Sequence, residues 1–274
     1  MGNPDFDLNL ASAGNVGATV APDKVRTLSR SGTGLKFSPL PGSEAEARCV
    51  SALLGADSTL RLGAAAREAE LKAVVSPRVL HLATHGFFLP DQELTPTNGL
   101  REDWLLAGAF ATDRRGGMDG MIRTPPRPSA TDWENPLIRC GIALAGANRA
   151  RQFTNAVAED GLLTGLEAAM LNLQGTELVI LSACDSGSGE VKIGEGVMSL
   201  RRAFRIAGAE TVLASHWPVS DEATRQLMTE FIRRWRGGES RLEAWRGAQL
   251  ALLKSDKFSD PYFWSAFTLT GQWR

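Results

Sequence analysis

The sequence predicts an α/β fold in which helices cover both faces of a mostly parallel β-sheet. Short apolar runs that are typical of buried strands alternate with segments of helical period. The clearest such run is ELVILSA at 177–183, and two others lie at 79–84 and 211–215. Strands separated by helices favour a parallel sheet, because parallel strands need a crossover connection.

The N-terminal part begins with a segment in which no periodic element is evident. Residues 1–36 are rich in Gly, Ser and Asn, and we expect an irregular, poorly ordered segment there. Ser43 followed by Glu46 has the spacing of a capping box, which predicts a helix at 44–54. Three further elements are then expected: a short strand at 58–62, a helix at 64–75 and the buried strand at 79–84.

A long stretch without periodicity separates the two halves of the chain. Residues 89–136 contain the sequences DRRGGMDG and RTPPRPS, which are rich in Arg, Gly and Pro. A stretch of this length is either a functional loop or a disordered insertion, and we expect a solvated loop insertion.

The C-terminal half resumes the alternation of strands and helices. A helix opened by Ser220 and Asp221 has the expected N-cap chemistry, with Asp221 itself interpreted as a capping residue. The other expected elements are a strand at 138–145, a small helix at 164–171, the strand at 177–183, a helix at 196–207, the strand at 211–215, a helix at 240–253 and a closing segment at 262–269.

Composition and charge exclude several classes of function. Thirty basic and 31 acidic residues give a net charge of −1, which argues against a nucleic-acid-binding protein whose affinity depends on phosphate contacts. No apolar run approaches the length of a membrane span, and the N-terminus lacks the pattern of a signal peptide. The three cysteines are too scattered for a disulfide framework or a zinc cage, so we expect a cytoplasmic protein without a cofactor.

Two reactive side chains follow buried strands of the predicted sheet. His85 comes directly after the run at 79–84, and Cys184 comes directly after the run at 177–183. Ligands of open α/β sheets bind at the carboxyl ends of the strands. If the two strands are neighbours, an imidazole and a thiol face each other, as nucleophilic catalysis by cysteine requires.

Longer motifs around these residues resemble the CHAT family of caspase-like cysteine peptidase domains. His85 lies in HLATHGFF and Cys184 in LVILSACDSGSGE; between them lie ALAGAN and EDGLLTGLE, and after them PYFWSAFTLTG. The likeness runs from about Phe37 to Gly271, so the expected domain is 37–274. The resemblance implies a three-layer α-β-α sandwich like that of caspases, separase and gingipains. Its first strand is expected to be missing at the N-terminus.

The resemblance also implies roles for individual residues. Cys184 would be the nucleophile and His85 the general acid and base, with the N–H groups of Gly86 and Cys184 forming an oxyanion hole. The chain would cleave a protein substrate, as the effector of a bacterial defence or signalling system. A sensor partner, such as a tetratricopeptide-repeat module, would control it.

Candidate substrate-binding residues are less sharply indicated. Trp217 could line a substrate pocket or belong to the core. Asp160 could hold a loop near the cleft or cap the helix at 164–171, and Asp185 could shape a pocket or turn the chain. Three arginines along one face of the helix at 196–207 are expected to be solvated or salt-bridged: Arg201, Arg202 and Arg205.

Two other motifs argue weakly for a metal or nucleotide site and are disfavoured, whereas two alternatives to a peptidase remain open. His81 and His85 have a spacing that binds zinc on a helix, but HLATH lacks the glutamate of HExxH and lies in a predicted strand. The run GSGEVKIGEG lacks the ending of a phosphate-binding loop. A catalytically silent interaction domain on the same fold is the main alternative to a peptidase. A different hydrolase or a transferase that uses the same nucleophile is the third.

Overall fold

The computed structural model describes six stretches of the chain. These are residues 1–10, 35–89, 135–152, 159–185, 195–217 and 220–274, and for 151–152, 183–185 and 195–199 only the backbone is described. The predicted loop insertion at 89–136 therefore lies almost entirely outside the described residues.

One eight-stranded sheet organises the described residues. Its strands are β1 (Gly2–Pro4), β2 (Leu62–Gly63), β3 (Val79–Phe88), β4 (Cys140–Ala143), β5 (Leu162–Thr164), β6 (Leu178–Asp185), β7 (Thr211–Ser215) and β8 (Phe267–Gly271). The order along the main path is β2-β1-β3-β6-β7-β8, and β4 pairs with both β3 and β5. The pairs from β2 to β7 are parallel, while β3–β4, β4–β5 and β7–β8 are antiparallel. The predicted α/β class with a mostly parallel sheet is confirmed.

Helices cover the two faces of this sheet. They are α1 (Pro41–Leu54), α2 (Glu68–Lys72), α3 (Gly165–Ala168), α4 (Glu195–Ile206), α5 (Asp221–Arg236), α6 (Arg241–Leu253) and α7 (Pro261–Trp264). One core, formed by alternate residues of β3, β6 and β7, packs against α2, α3 and α4. The other alternate residues of β6 and β7 pack against α1, α5 and α6. None of the described helices is both long and apolar enough to cross a membrane.

Burial of the central strands explains why they were visible in the sequence. Every residue from Leu80 to Phe87 in β3 is buried, so the strand reads as a continuous apolar run rather than as an alternating one. The predicted strand at 211–215 is confirmed. Ser220 caps α5, and Ser240 caps α6 in a full capping box with Glu243. Asp221 is the first residue of α5 and not its cap.

The predicted start of α1 is wrong. The helix begins at Pro41, whose fixed φ suits the first turn, and Ser43 lies inside the helix instead of capping it. The Ser43 hydroxyl donates to the carbonyl oxygen of Leu40 and accepts from the N–H of Asn3. Glu46 is turned into the protein, where it is 3% exposed. Tertiary contacts therefore override the local capping pattern.

The prediction of a missing first strand is also wrong. Residues 2–4 form β1, which lies between β2 and β3 in the central sheet. The N–H of Ala83 donates to the carbonyl oxygen of Met1 at 2.9 Å, and the N–H of Gly2 donates to the carbonyl oxygen of Arg61 at 3.1 Å. Three residues with Gly and Pro carry too little periodicity to indicate a strand, so only the pairing reveals it. The remainder of the predicted irregular segment, from residue 11 to 34, lies outside the described residues.

Candidate active site

His85 and Cys184 lie side by side on neighbouring parallel strands. The register of β3 and β6 makes their Cα atoms direct partners, with Gly86 opposite Asp185 in the next position. Neighbouring strands are about 4.8 Å apart, so the two backbones are close enough for an imidazole and a thiol to meet. The strands continue past both residues, to Phe88 and to Asp185, and not only up to them as the sequence predicted. The side chains of Cys184 and Asp185 lie outside the described residues.

A backbone carbonyl fixes one nitrogen of the candidate base. Nε2 of His85 lies 2.8 Å from the carbonyl oxygen of Ser38. A carbonyl oxygen can only accept, so Nε2 carries the hydrogen, and in the neutral imidazole Nδ1 then carries the lone pair. This assignment follows from the hydrogen bond and leaves Nδ1 as the nitrogen that can take a proton from a thiol.

Two phenyl rings enclose the imidazole of His85. The ring of Phe37 is stacked on it with centroids 5.7 Å apart, and the ring of Phe6 lies at 5.2 Å with a tilt of 37°. His85 is consequently only 3% exposed. Phe6 and Phe37 belong to a small apolar cluster that also contains Phe87 and Leu162. The enclosure limits the access of water to the imidazole.

Gly86 lies within β3, between two neighbouring strands. Its Cα partners are Asp185 in β6 and Ile142 in β4. The predicted contribution of its N–H to an oxyanion hole stays a prediction.

A buried polar network beneath the dyad was missed by the sequence reasoning. Glu46 of α1 accepts from Nε2 of His81 at 2.8 Å through one carboxylate oxygen. It accepts from the hydroxyl of Ser182 at 3.1 Å through the other. His81 lies on β3 four residues before His85, and Ser182 lies on β6 two residues before Cys184. The sequence does contain one sign of this burial: Glu46 lies four residues before Val50, on the same face of the helix as that buried side chain.

The same geometry argues against a zinc site at the two histidines. His81 and His85 lie on one strand, where four residues span about 13 Å, so their imidazoles cannot share one ion. Within the described residues, no group of three or more His, Cys, Asp or Glu side chains could hold a metal.

The expectation of solvated arginines is wrong for Arg201. Its side chain is 4% exposed, and burial lowers the pKa of its guanidinium. Nη2 donates to the carbonyl oxygen of Ala214 at 2.6 Å and lies 3.0 Å from Nε2 of His216. Burial and the positive charge of Arg201 lower the pKa of His216. Arg205 binds the carbonyl oxygens of Ala209 and Glu210.

The predicted substrate-binding residues differ in their surroundings. Asp160 is buried, and its carboxylate accepts from the N–H of Leu162, a member of the apolar cluster beside His85. Thr164, and not Asp160, caps helix α3. Trp217 is half-buried and its Nε1 donates to the carbonyl oxygen of Tyr262 at 3.1 Å. The roles of Asp160, Asp185 and Trp217 in substrate binding stay predictions.

Comparisons with known proteins agree with this architecture. The family model described as CHAT domain matches residues 1–272. Tetratricopeptide repeat protein 28 of Homo sapiens is 27% identical over 238 residues, which are 86% of this chain and 8% of that protein. The protein of the same name from Mus musculus is 27% identical over 244 residues, 86% of this chain and 9% of that protein. The chain thus spans less than a tenth of the length of these relatives.

Proposed function

Because the chain belongs to the CHAT domain family, a group with a caspase-like α/β fold, we propose that it is a cysteine endopeptidase with a Cys184/His85 dyad. The single observation that carries this proposal is the register that makes His85 and Cys184 direct partners on adjacent parallel strands. The hydrogen bond from His85 to the carbonyl oxygen of Ser38 supports it, because it places the hydrogen on Nε2 and the lone pair on Nδ1.

The proposed reaction begins with proton transfer from the thiol of Cys184 to Nδ1 of His85. The sulfur attacks the peptide carbonyl, and the N–H groups of Gly86 and Cys184 stabilise the resulting oxyanion. The C–N bond then breaks as the imidazolium gives its proton to the leaving amine, which yields a thioester on Cys184. His85 next takes a proton from water, the hydroxide attacks the thioester, and the proton returns to the released thiolate. Asp160, Asp185 and Trp217 would contact the substrate.

We further propose that this activity serves a sensor-controlled defence or signalling system. Relatives named for tetratricopeptide repeats carry the matching region as a small part of a far longer protein. A repeat module is therefore the proposed sensor, and it would act by ordering the segments around the dyad.

A catalytically silent interaction domain is the second candidate. The observation that favours it is the enclosure of His85, which is 3% exposed beneath Phe6 and Phe37. In a peptidase the substrate must reach this imidazole, because the imidazole protonates the leaving amine. An interaction domain needs no such access to His85.

Digestion of a peptide library, read by mass spectrometry, separates the two candidates. We expect cuts with the wild-type chain that disappear with Cys184→Ala and persist with Cys49→Ala, the matched control at a half-buried cysteine. The residue shared at the cleaved positions would define the specificity pocket. Cuts that survive Cys184→Ala would contradict the proposal. Absence of cuts, even from a longer chain that includes the repeats, would favour the silent domain.

A further inference from the structure

The motif ALAGAN ends in Asn148, whose side chain joins the two segments that enclose His85. Asn148 lies in a turn of 3-10 helix at Ala147–Gln152, which follows β4. Its backbone N–H donates to the carbonyl oxygen of Phe6 at 2.9 Å. Its side-chain Oδ1 accepts from the N–H of Phe37 at 2.8 Å, and Nδ2 donates to the carbonyl oxygen of Phe37 at 2.9 Å. Nδ2 also donates to a carboxylate oxygen of Asp7 at 3.0 Å.

These bonds replace the secondary structure that the segment around Phe37 lacks. Residues 35–40 form neither helix nor strand, so their backbone groups need partners from elsewhere. The carboxamide of Asn148 pairs with both backbone groups of Phe37, as a neighbouring strand would. A second amide acts in the same way farther along, where Oδ1 of Asn3 accepts from the N–H of Leu40 at 3.0 Å.

The consequence for His85 is direct. Phe37 stacks on the imidazole, and the next residue, Ser38, supplies the carbonyl oxygen that binds Nε2. The other segment held by Asn148 supplies the ring of Phe6. Asn148 therefore bonds to both segments that supply groups in contact with His85: its carboxamide pairs with Phe37 and with the side chain of Asp7, and its backbone N–H donates to Phe6.

We infer that Asn148 is a positioning residue that holds His85 in the tautomer with hydrogen on Nε2 and the lone pair on Nδ1. Its importance for catalysis rests on the proposed function, in which Nδ1 takes the proton of Cys184. The effect on the tautomer does not depend on peptidase activity.

Nitrogen NMR of the histidine side chains in the full chain tests this inference. The chain has three histidines, so single His→Gln variants assign each signal. We expect His85 to carry its hydrogen on Nε2 in the wild type. Asn148→Ala should give a mixture of both tautomers, whereas the control Asn172→Ala, at an exposed position distant in sequence, should leave the signal unchanged.

A second pair of variants guards against simple unfolding. Asn148→Asp keeps an acceptor for the N–H of Phe37 but removes the donor to its carbonyl oxygen and to Asp7. It should therefore also disturb the tautomer. Adding Asp7→Asn should recover part of the wild-type signal, because a donor then faces the new carboxylate. Thermal unfolding identifies which variants remain folded.

The reactivity of Cys184 provides an independent readout. The rate of its alkylation by iodoacetamide is followed against pH in wild type and variants. We expect the pH midpoint of alkylation to be higher in Asn148→Asp than in the wild type and closer to that of an ordinary thiol. An ordinary thiol is only about 3% thiolate at pH 7. An unchanged His85 tautomer together with an unchanged midpoint in a folded Asn148 variant would overturn the inference. A changed tautomer in a chain that cuts no peptide would support it while the proposed peptidase failed.

Discussion

Glu46 is a carboxylate buried at the junction of the two strands that carry the dyad. Each of its oxygens accepts one hydrogen bond, from His81 on β3 and from Ser182 on β6. A charged group that is 3% exposed is tolerated only when such partners compensate for the lost hydration. Removing Glu46 would leave both partners without an acceptor inside the protein.

The first prediction concerns the replacement Glu46→Ala. We expect the free energy of unfolding to fall by about 3 kcal/mol, since breaking one side of a buried charged network leaves uncompensated polar groups. Urea denaturation measures this change. The matched control is Glu44→Ala, two positions away on the same helix, where the half-buried carboxylate pairs with Arg48 and accepts from Asn3. An equal loss in the two variants would contradict the account.

At the scale of residues, the sequence predicts the position of a reactive side chain when that side chain directly follows a buried apolar strand. His85 and Cys184 each follow an apolar run. Because the carboxyl ends of parallel strands lie at the same edge of a sheet, their proximity could be predicted. Glu46 and Arg201 could not be predicted in the same way, because charged residues are ordinarily solvated. Their burial depends on partners from distant parts of the chain: His81 and Ser182 for Glu46, and Ala214 for Arg201.

At the scale of elements, β1 is the strand whose presence differs most from what the sequence predicted. It lies between β2 and β3 and places Pro4 and the following residues beside the dyad strand, so that Phe6 can reach His85. Gly2 allows α1 to approach this strand closely: a Cβ at that position would lie 2.7 Å from the carbonyl oxygen of Ser43 and 2.8 Å from Cβ of Ala47. Small size is thus required at Gly2 by packing against α1.

The second prediction follows from this close approach. Gly2→Val should displace β1 from β3, because the opposing groups include backbone that cannot move aside. The amide of Ala83, which donates to the carbonyl oxygen of Met1, should then exchange its hydrogen at least about tenfold faster. Hydrogen exchange read by NMR measures this rate. If the amide of Ala83 exchanged at the same rate in Gly2→Val as in the wild type, the close approach of α1 to Gly2 would not be what keeps β1 paired with β3.

Helices and strands were predictable to different degrees for physical reasons. Ser220 and Ser240 cap α5 and α6 through local bonds, and the sequence located the start of both helices to within one residue, although it favoured Asp221 as the cap of α5. The short strands β1 and β2 exist through pairing alone, and the predicted strand at 58–62 is reduced to Leu62–Gly63. The predicted helix at 64–75 is likewise only Glu68–Lys72. Marginal elements depend on neighbours that a local pattern does not contain.

At the scale of the whole molecule, the fold brings both dyad strands to the centre of one sheet. β3 and β6 are each flanked by other strands and covered by helices on both faces. Such a setting holds the backbone of His85 and Cys184 rigidly, as a preorganised catalytic site requires. The match to the CHAT domain model over residues 1–272 agrees with this arrangement. The relatives that match this region in sequence are far longer chains.

Covalent labelling of the full chain by a peptide acyloxymethyl ketone, with a mixture of residues at the position next to the ketone, tests the dyad most directly. Intact mass and peptide mapping locate the adduct. We expect one adduct, on Cys184, that disappears in both Cys184→Ala and His85→Ala. The half-buried Cys49 serves as the internal comparison, and burial raises the pKa of Cys140 to about 12, which keeps that thiol unreactive. An unlabelled Cys184, or labelling that persists undiminished in His85→Ala, would contradict the dyad.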